Sequence, residues 1–102
     1  MYKPLPESVT IKQSGVHGLG LFADQKIMQG TNLGTSHLEM AQLDNKESIY
    51  RTPLGGFINH ANDANCVKVE LREDKYKRWN LVTVRNIKEG EELTVSYTFY
   101  KV

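Results

Sequence analysis

Three short segments carry side chains that could do chemistry. FINHANDANC places Asn59 and His60 directly after an apolar pair and ends at Cys66. GVHGLGLFA has glycines at positions 18 and 20, where the missing Cβ lets a backbone approach a ligand closely. EGEELTVSY ends at Tyr97, whose phenol would be easily exposed to a cleft near the end of an alternating strand. Each segment admits a binding role, and each also admits an ordinary structural one.

His60 and Cys66 are the residue types of a general base and a nucleophile. A reactive cysteine needs a thiolate that a positive group or a helix N-terminus stabilises, whereas Cys66 opens an apolar strand. We therefore expect a buried, unreactive thiol. The ring of His60 fits a structural hydrogen-bond donor equally well. The Asn and Asp residues between them can close Asx turns through their own side chains, without any ligand.

Metal and dinucleotide sites are both disfavoured by spacing. His17, His37 and His60 lack the compact spacing of metal ligands, so we expect no metal site. The glycines at 18 and 20 lie between two predicted strands, whereas the dinucleotide fingerprint GxGxxG opens a helix. Local sequence alone favours a tight turn there.

Composition limits the class of protein. The 102 residues are 39% hydrophobic, which is enough for one compact core, so we expect a single domain over residues 1–102. Thirteen basic and twelve acidic residues leave a charge of +1, which gives no field to attract nucleic acid or an anionic membrane. A single cysteine excludes an internal disulfide and favours an intracellular setting. No signal-peptide core or run of ~18 apolar residues is present.

Alternation of apolar and polar residues dominates over helical periodicity. It predicts strands at residues 9–12, 67–71, 81–84 and 93–97. The charged run at 72–78 predicts a solvated hairpin loop, and the helical candidate is residues 40–50. The pattern I-x-x-G-x-x-L occurs at 27–33 and again at 87–93. It predicts two equivalent turns, each with glycine at positive φ and each leading into a strand.

Together the three segments resemble the SET-domain family of protein-lysine methyltransferases, which use S-adenosylmethionine. HGLGLFA, FINHANDANC and EGEELTVSY occur in the family's order and at about its spacing, and the resemblance spans roughly residues 9–100. FINH-x-x-x-x-N followed by GEEL-x-x-x-Y is the specific part. The resemblance implies a mostly β fold of the β-clip type, with several small twisted sheets and little helix. Its knot-like C-terminal segment would pass beneath the loop around Asn59 and end in Tyr97.

The resemblance also implies roles for particular residues. Asn59 would bind the methionyl end of the cofactor through its side chain, and His60 would offer main-chain groups to the adenine. The glycine turn would add backbone contacts to the methionine moiety. Tyr97 matches the family's catalytic tyrosine. The implied cofactor-binding residues are His17, Gly18, Leu19, Gly20, Asn59 and His60. Aromatic residues expected to line the substrate lysine channel are Tyr50, Phe99 and Tyr100.

The implied activity is S-adenosylmethionine-dependent transfer of a methyl group to a lysine amine in a histone or another protein. The alternative is a non-catalytic SET or β-clip module that binds cofactor or a protein partner. The cysteine-rich, zinc-binding tail that completes the lysine channel in many members has no counterpart before Val102. A second protomer, the substrate or residues 99–102 would then supply the lid, and we expect a homodimer. Nucleic acid and membranes are not expected partners.

Overall fold

A computed structural model describes the backbone of residues 5–15, 18–41, 47–73 and 76–101, and the side chains of 5–15, 18–39, 50–72 and 77–96. In chain order, the elements within these ranges are β1 (Val9–Gln13), β2 (Leu19–Ala23), β3 (Asn32–Ala41), β4 (Glu47–Arg51), α1 (Pro53–Phe57), β5 (Asn59–His60), β6 (Cys66–Glu73), β7 (Tyr76–Thr83) and β8 (Glu92–Lys101). The strands form a sheet in the order β1-β2-β8-β6-β7-β3-β4, and β5 pairs with β8. The mostly β fold with little helix is confirmed.

The four predicted strands fall on β1, β6, β7 and β8, and all four are longer than predicted. The predicted loop at 72–78 is wrong in its extent, because Arg72 pairs with Lys77 and Glu73 pairs with Tyr76. The ladder of an antiparallel hairpin continues through charged residues wherever their side chains reach solvent, so charge alone does not mark its end.

The helix predicted at 40–50 is wrong. Both ends of that segment are strand, and Met40 of β3 pairs with Ser48 of β4. Since the segment has no strong apolar stripe, pairing along the edge of the sheet satisfies its backbone better than an isolated short helix would. The helix lies just beyond, where Thr52 caps α1 by accepting a hydrogen bond from the Gly55 amide at 3.4 Å and Pro53 takes the first helical position.

The repeated pattern I-x-x-G-x-x-L forms two equivalent turns. Gly30 has φ +83° and Gly90 has φ +86°, which confirms the predicted left-handed glycines. Ile27 and Ile87 face each other and exchange two backbone hydrogen bonds of 2.9 and 2.8 Å. Both side chains are buried, so the turns meet over the core.

The core lies between the two turns and the paired ends of the strands. Its buried apolar members are Val9, Leu21, Ala23, Ile27, Leu33, Leu54, Cys66, Leu81, Ile87, Leu93 and Val95. β8 is antiparallel to β2 and parallel to both β5 and β6. The knot-like threading of the C-terminal segment stays a prediction. Among the described residues, no helix has the length and apolar character needed to cross a membrane.

Candidate functional site

The three motif segments meet on the first half of β8. Leu21 of β2 pairs with Leu93, and on the parallel side Asn59 of β5 pairs with Thr94. These pairings place the glycine segment and the Asn-His segment beside the GEEL segment, although they are far apart in sequence. The fold therefore brings the described parts of the three motif segments together.

A carboxylate connects these strands. The hydroxyl Oγ of Ser14, just after β1, lies 2.8 Å from both carboxylate oxygens of Glu92. The amide nitrogen Nδ2 of Asn59 donates to Glu92 Oε2 at 2.9 Å and to the carbonyl oxygen of Leu19 at 3.2 Å. Glu92 therefore fixes the Asn59 side chain against β2.

Gly20 lies directly against this network. A Cβ at this position would collide with the Glu92 carboxylate and would come within 3.0 Å of Asn59 Nδ2. Gly20 is a buried residue of β2, whereas Gly18, with φ +48°, is the glycine that turns the chain. The prediction of a single tight turn holding both glycines is therefore corrected. Gly18 permits the bend, and Gly20 lets two side chains reach the backbone of β2.

Of the two histidines in the predicted site, the structure describes His60. His60 follows Asn59 in β5, is half-buried, and its backbone pairs with Val95. His17 lies outside the described residues. Within the described part of the chain, no group of three His, Cys, Asp or Glu side chains is arranged to hold a metal ion.

Cys66 is a buried, free thiol at the start of β6. Burial raises the pKa of the Cys66 thiol to about 12, with Arg85 opposing the shift and Glu91 adding to it. The thiol is therefore protonated near neutral pH and is a poor nucleophile. The expected buried, unreactive cysteine is confirmed.

Tyr97 lies where β8 changes register against β6. Cys66 pairs with Val95 and Lys68 pairs with Phe99, so two steps along β6 are matched by four along β8. The additional backbone of β8 covers residues 96–98. Bulges of this kind re-aim side chains and are over-represented beside active sites.

The predicted substrate-binding residues lie on two separate strands, Tyr50 on β4 and Phe99 and Tyr100 on β8. Tyr50 is 49% exposed on the edge strand β4, and β3, β7 and β6 separate it from β8 within the sheet. Sheet pairing therefore does not bring it beside the C-terminal aromatic residues, and its substrate-binding role stays a prediction. Side-chain roles outside the described residues also stay predictions, namely those of Tyr97, Phe99 and Tyr100.

Lys68 on β6 and Arg51 on β4 lie near His37 on β3. Burial, followed by the charges of Lys68 and Arg51, lowers the pKa of His37 to about 4. Burial, followed by Arg51, also lowers the pKa of Lys68. His37 Nδ1 lies 3.0 Å from the hydroxyl of Ser36, which donates to the Trp79 carbonyl oxygen. The His37 ring is therefore neutral near pH 7, and the positive potential comes from Lys68 and Arg51.

Sequence reasoning missed Ser14 and Glu92 and misinterpreted Asn65. Asn65 does more than close an Asx turn. It is buried, accepts from the Thr94 amide through Oδ1 at 2.8 Å, and donates to the Glu92 carbonyl oxygen at 2.9 Å. The signal was present in the second Asn of FINH-x-x-x-x-N and in the GEEL glutamate. Spacing alone does not show which side chains they bond.

A cavity of about 380 Å³ lies apart from these residues, near the start of β3. Its lining residues are Leu5, Pro6, Glu7, Leu33, Gly34, Thr35 and Leu54. None of the motif residues lines it, so the cavity is not the site that the motifs predict.

Most of this chain aligns with a segment of two histone-lysine N-methyltransferases. It is 34% identical over 76 residues to the H3 lysine-36-specific histone-lysine N-methyltransferase of Mycosarcoma maydis, covering 72% of this chain and 8% of that protein. It is 35% identical over 78 residues to human histone-lysine N-methyltransferase 2D, covering 74% of this chain and 1% of that protein. The chain thus corresponds to a small part of these relatives.

A solved structure and a family model agree with the fold. The methyltransferase domain of human PR domain-containing protein 2 superposes with a TM-score of 0.67 at 20% identity, covering 92% of this chain and 79% of that one. The SET-domain family model matches residues 40–98, more than half of the chain. With its mostly β architecture and its motif segments gathered on β8, the chain belongs to the SET-domain family.

Proposed function

We propose that this chain is an S-adenosylmethionine-dependent protein-lysine N-methyltransferase. The observation that carries the proposal is the convergence of Gly20, Asn59 and Glu92 on the first half of β8, just before the bulge that contains Tyr97. Membership of the SET family supplies the reaction class. The chain's own geometry supports the assignment of residues.

The residues present fit the amino-acid end of this cofactor. Gly20 lets the side chains of Glu92 and Asn59 lie against the backbone of β2, and Asn59 is held there by hydrogen bonds from its amide nitrogen. The backbone of Gly18 to Gly20, the Asn59 side chain and the main chain of His60 would hold the cofactor. When bound, it supplies a methyl group already activated by a positively charged sulfonium.

The substrate lysine must lose a proton before its amine can attack. An exposed lysine has a pKa of ~10.4, and both loss of water and nearby positive charge lower that pKa. Lys68 pairs with Phe99 beside the bulge, and Arg51 lies close enough to Lys68 and His37 to lower the pKa of both. This positive region would favour the neutral amine, and Tyr97 would orient that amine through its hydroxyl group.

The proposed substrate is a protein with an accessible lysine. Histone H3 is named as the target of the M. maydis relative, so histone tails are the first substrates to test. Residues 1–102 would act as one domain. A protein that binds the cofactor and transfers nothing would instead be a non-catalytic module.

Replacing Tyr97 by Phe tests the catalytic assignment. Loss of one orienting hydroxyl should lower the rate of methyl transfer by about 100-fold, the usual order for a preorganised hydrogen-bonding group. Affinity for S-adenosylmethionine should stay within about threefold, since the phenol acts on the amine and adds little uniform binding. Radiolabelled transfer to histones and to a cell lysate measures the rate, and calorimetry measures the affinity.

Tyr76→Phe is the matched control, because it removes the same oxygen at the distal end of the β6–β7 hairpin. Unchanged transfer by the Tyr97→Phe variant would remove Tyr97 from the mechanism. Calorimetry that detects no cofactor binding by the unmodified chain would refute the proposed function. Binding without transfer to any lysate protein would support the non-catalytic module.

A further inference from the structure

We propose that Arg51 anchors an anion-binding subsite, to which the charge of Lys68 adds, and that this subsite takes an acidic side chain of the substrate protein a few residues away from the target lysine. The inference rests on the proposed function and narrows the class of its substrates. The placement of the two basic residues on one face of the sheet follows from the register of the strands.

Four residues form one row across the sheet. His37 of β3 pairs with Arg51 of β4 on one side and with Trp79 of β7 on the other, and Trp79 pairs with Glu70 of β6. Directly opposed residues share a face of the sheet, and so do residues two apart on a strand, so Lys68 lies on this face as well. We call it the His37 face. Its acidic member in this row, Glu70, is separated from Arg51 by β7 and β3.

Arg51 is an exposed charge on the His37 face. No carboxylate of the described residues lies within ion-pair distance of Arg51, whereas Lys77 in the next row pairs with Glu39 at 3.4 Å. The ring of His37 beside Arg51 is neutral near pH 7, because burial, followed by the charges of Lys68 and Arg51, lowers its pKa to about 4. The positive charge of Arg51 is therefore available to an anion from outside.

The two basic side chains lean towards each other although their strands are not neighbours. Three strand spacings, about 14 Å in a flat sheet, separate β4 from β6. Burial, followed by the charge of Arg51, nevertheless lowers the pKa of Lys68. The two charges therefore act over the middle of the His37 face. Lys68 also pairs with Phe99 beside the bulge of β8, so this positive region extends from the edge strand β4 to the strand of the candidate site.

The distance from Arg51 to the bulge sets where the acidic residue would stand in the substrate. Four strand spacings, about 19 Å in a flat sheet, lie between β4 and β8, and curling of the sheet shortens that path. An extended peptide advances about 3.4 Å per residue, so the acidic side chain would stand about three to five residues from the target lysine. A basic segment such as a histone tail would place like charge beside Arg51 and should bind poorly.

Peptide binding measures this preference. Three synthetic peptides each carry one central lysine and, at the third to fifth positions on both sides of it, only Glu, only Gln or only Arg. Fluorescence anisotropy with S-adenosylhomocysteine present gives their affinities without methyl transfer. The Glu peptide should bind about fivefold more tightly than the Gln peptide and about 20-fold more tightly than the Arg peptide, the order expected for exposed charge pairs. Raising the salt concentration from about 0.05 M to about 0.5 M should reduce both differences through screening.

Reversing the charge tests the residue. Arg51→Glu should make the Arg peptide the tightest binder, and Arg51→Lys, which keeps the charge, should retain the original order. Lys26→Glu makes the same change of net charge at an exposed position of the first turn and is the control, with the order unchanged. Circular dichroism verifies that each variant is folded. A Glu peptide that binds no better than the Gln peptide, or an order that Arg51→Glu leaves unchanged, overturns the proposal.

The cofactor also carries a carboxylate, so calorimetry with S-adenosylmethionine distinguishes the two sources of negative charge. Arg51→Glu should leave cofactor affinity within about threefold, because the subsite binds the substrate protein. A loss of cofactor affinity of about tenfold or more, with the order of the peptides unchanged, would assign Arg51 to the cofactor and overturn the proposal.

A second measurement separates this inference from the proposed function. Radiolabelled transfer to lysate proteins, with mass spectrometry of the products, should locate Asp or Glu three to five residues from the methylated lysines more often than from unmodified ones. If the unmodified chain transfers methyl groups but the three peptides bind equally, the subsite fails while the function stands. If it transfers none and Arg51→Glu still reverses the order of the peptides, the function fails while the subsite stands.

Discussion

Two segments of this chain share one backbone plan and differ in what their side chains hold. The first repeat, residues 21–34, reads LFADQKIMQGTNLG, and the second repeat, residues 81–94, reads LVTVRNIKEGEELT. Each repeat contains, in this order, the end of a strand, an isoleucine that bridges to the other repeat, a glycine at positive φ and the start of a new strand. The first repeat leads into β3 and the second into β8, which carries the candidate site.

The repeats bond to each other reciprocally. The amide of Ala23 donates to the carbonyl oxygen of Glu91 at 2.9 Å, and the equivalent amide of Thr83 donates to that of Thr31 at 3.0 Å. In the opposite direction, the amide of Gly90 donates to the carbonyl oxygen of Ala23 at 2.7 Å, and the amide of Gly30 donates to that of Thr83 at 2.8 Å. Each strand end therefore forms its backbone hydrogen bonds with the turn of the other repeat.

The difference lies in how each new strand is anchored. In the first repeat the amide of Gly34 donates to Asn32 Oδ1, two residues earlier and exposed, at 2.9 Å. In the second repeat the equivalent amide, that of Thr94, donates to the buried Asn65 at 2.8 Å. Glu92 occupies the position of Asn32 and bonds Asn59 and Ser14 instead of its own turn. A local bond thus anchors the new strand of the first repeat, whereas long-range bonds join the second repeat to the segments of the candidate site.

The largest expected effect tests what the repeats share. Ile27→Ala and Ile87→Ala each remove a buried side chain from the same bridge, so each should lower the free energy of unfolding by about 2–5 kcal/mol. Urea unfolding monitored by circular dichroism measures both. Met28→Ala, at a side chain 57% exposed, is the control and should cost far less. A loss below about 1 kcal/mol at one isoleucine alone would break the equivalence.

The next effect tests how the repeats differ. Asn65→Ala should lower the free energy of unfolding by about 2–4 kcal/mol, because the Thr94 amide and the Glu92 carbonyl group lose buried partners. Asn32→Ala removes the equivalent bond at an exposed turn, where water replaces it, and should cost about 0.5–1 kcal/mol. The same urea titrations compare the two. Equal losses would show that the long-range anchor contributes no more than the local one.

Much of the fold was predictable because its signals are local. Alternation found β1, β6, β7 and β8, and the recurrence of I-x-x-G-x-x-L found both turns, since positive φ leaves few alternatives to glycine. The helix at 40–50 failed for the opposite reason. That segment has weak intrinsic preference, and pairing with other strands decides the structure of its two described ends.

The candidate site was predictable only at the level of motifs. Resemblance to SET domains singled out Asn59 and Gly20, but not why Gly20 must lack a Cβ. The reason is a contact with Glu92, 72 residues away, and no spacing rule describes it. Asn65 illustrates the same limit. The polar residues around it in the sequence favoured a local turn, whereas its side chain forms hydrogen bonds with the backbone of β8. Which side chains of distant strands contact each other depends on the folded structure and not on their spacing in the sequence.

The smallest expected effect tests whether the turn glycine of the second repeat affects cofactor binding as well as stability. Gly30→Ala and Gly90→Ala each force alanine into a left-handed conformation in open space, so strain alone should cost about 1–2 kcal/mol at either position. Gly56→Ala, in α1 with equal space and no such φ, is the control and should be neutral or slightly stabilising. Gly90 precedes Glu92 by two residues, so Gly90→Ala should also weaken S-adenosylmethionine binding measured by calorimetry, whereas Gly30→Ala should not. Equal affinities in the two variants would mean that the second turn supports β8 without setting the position of Glu92.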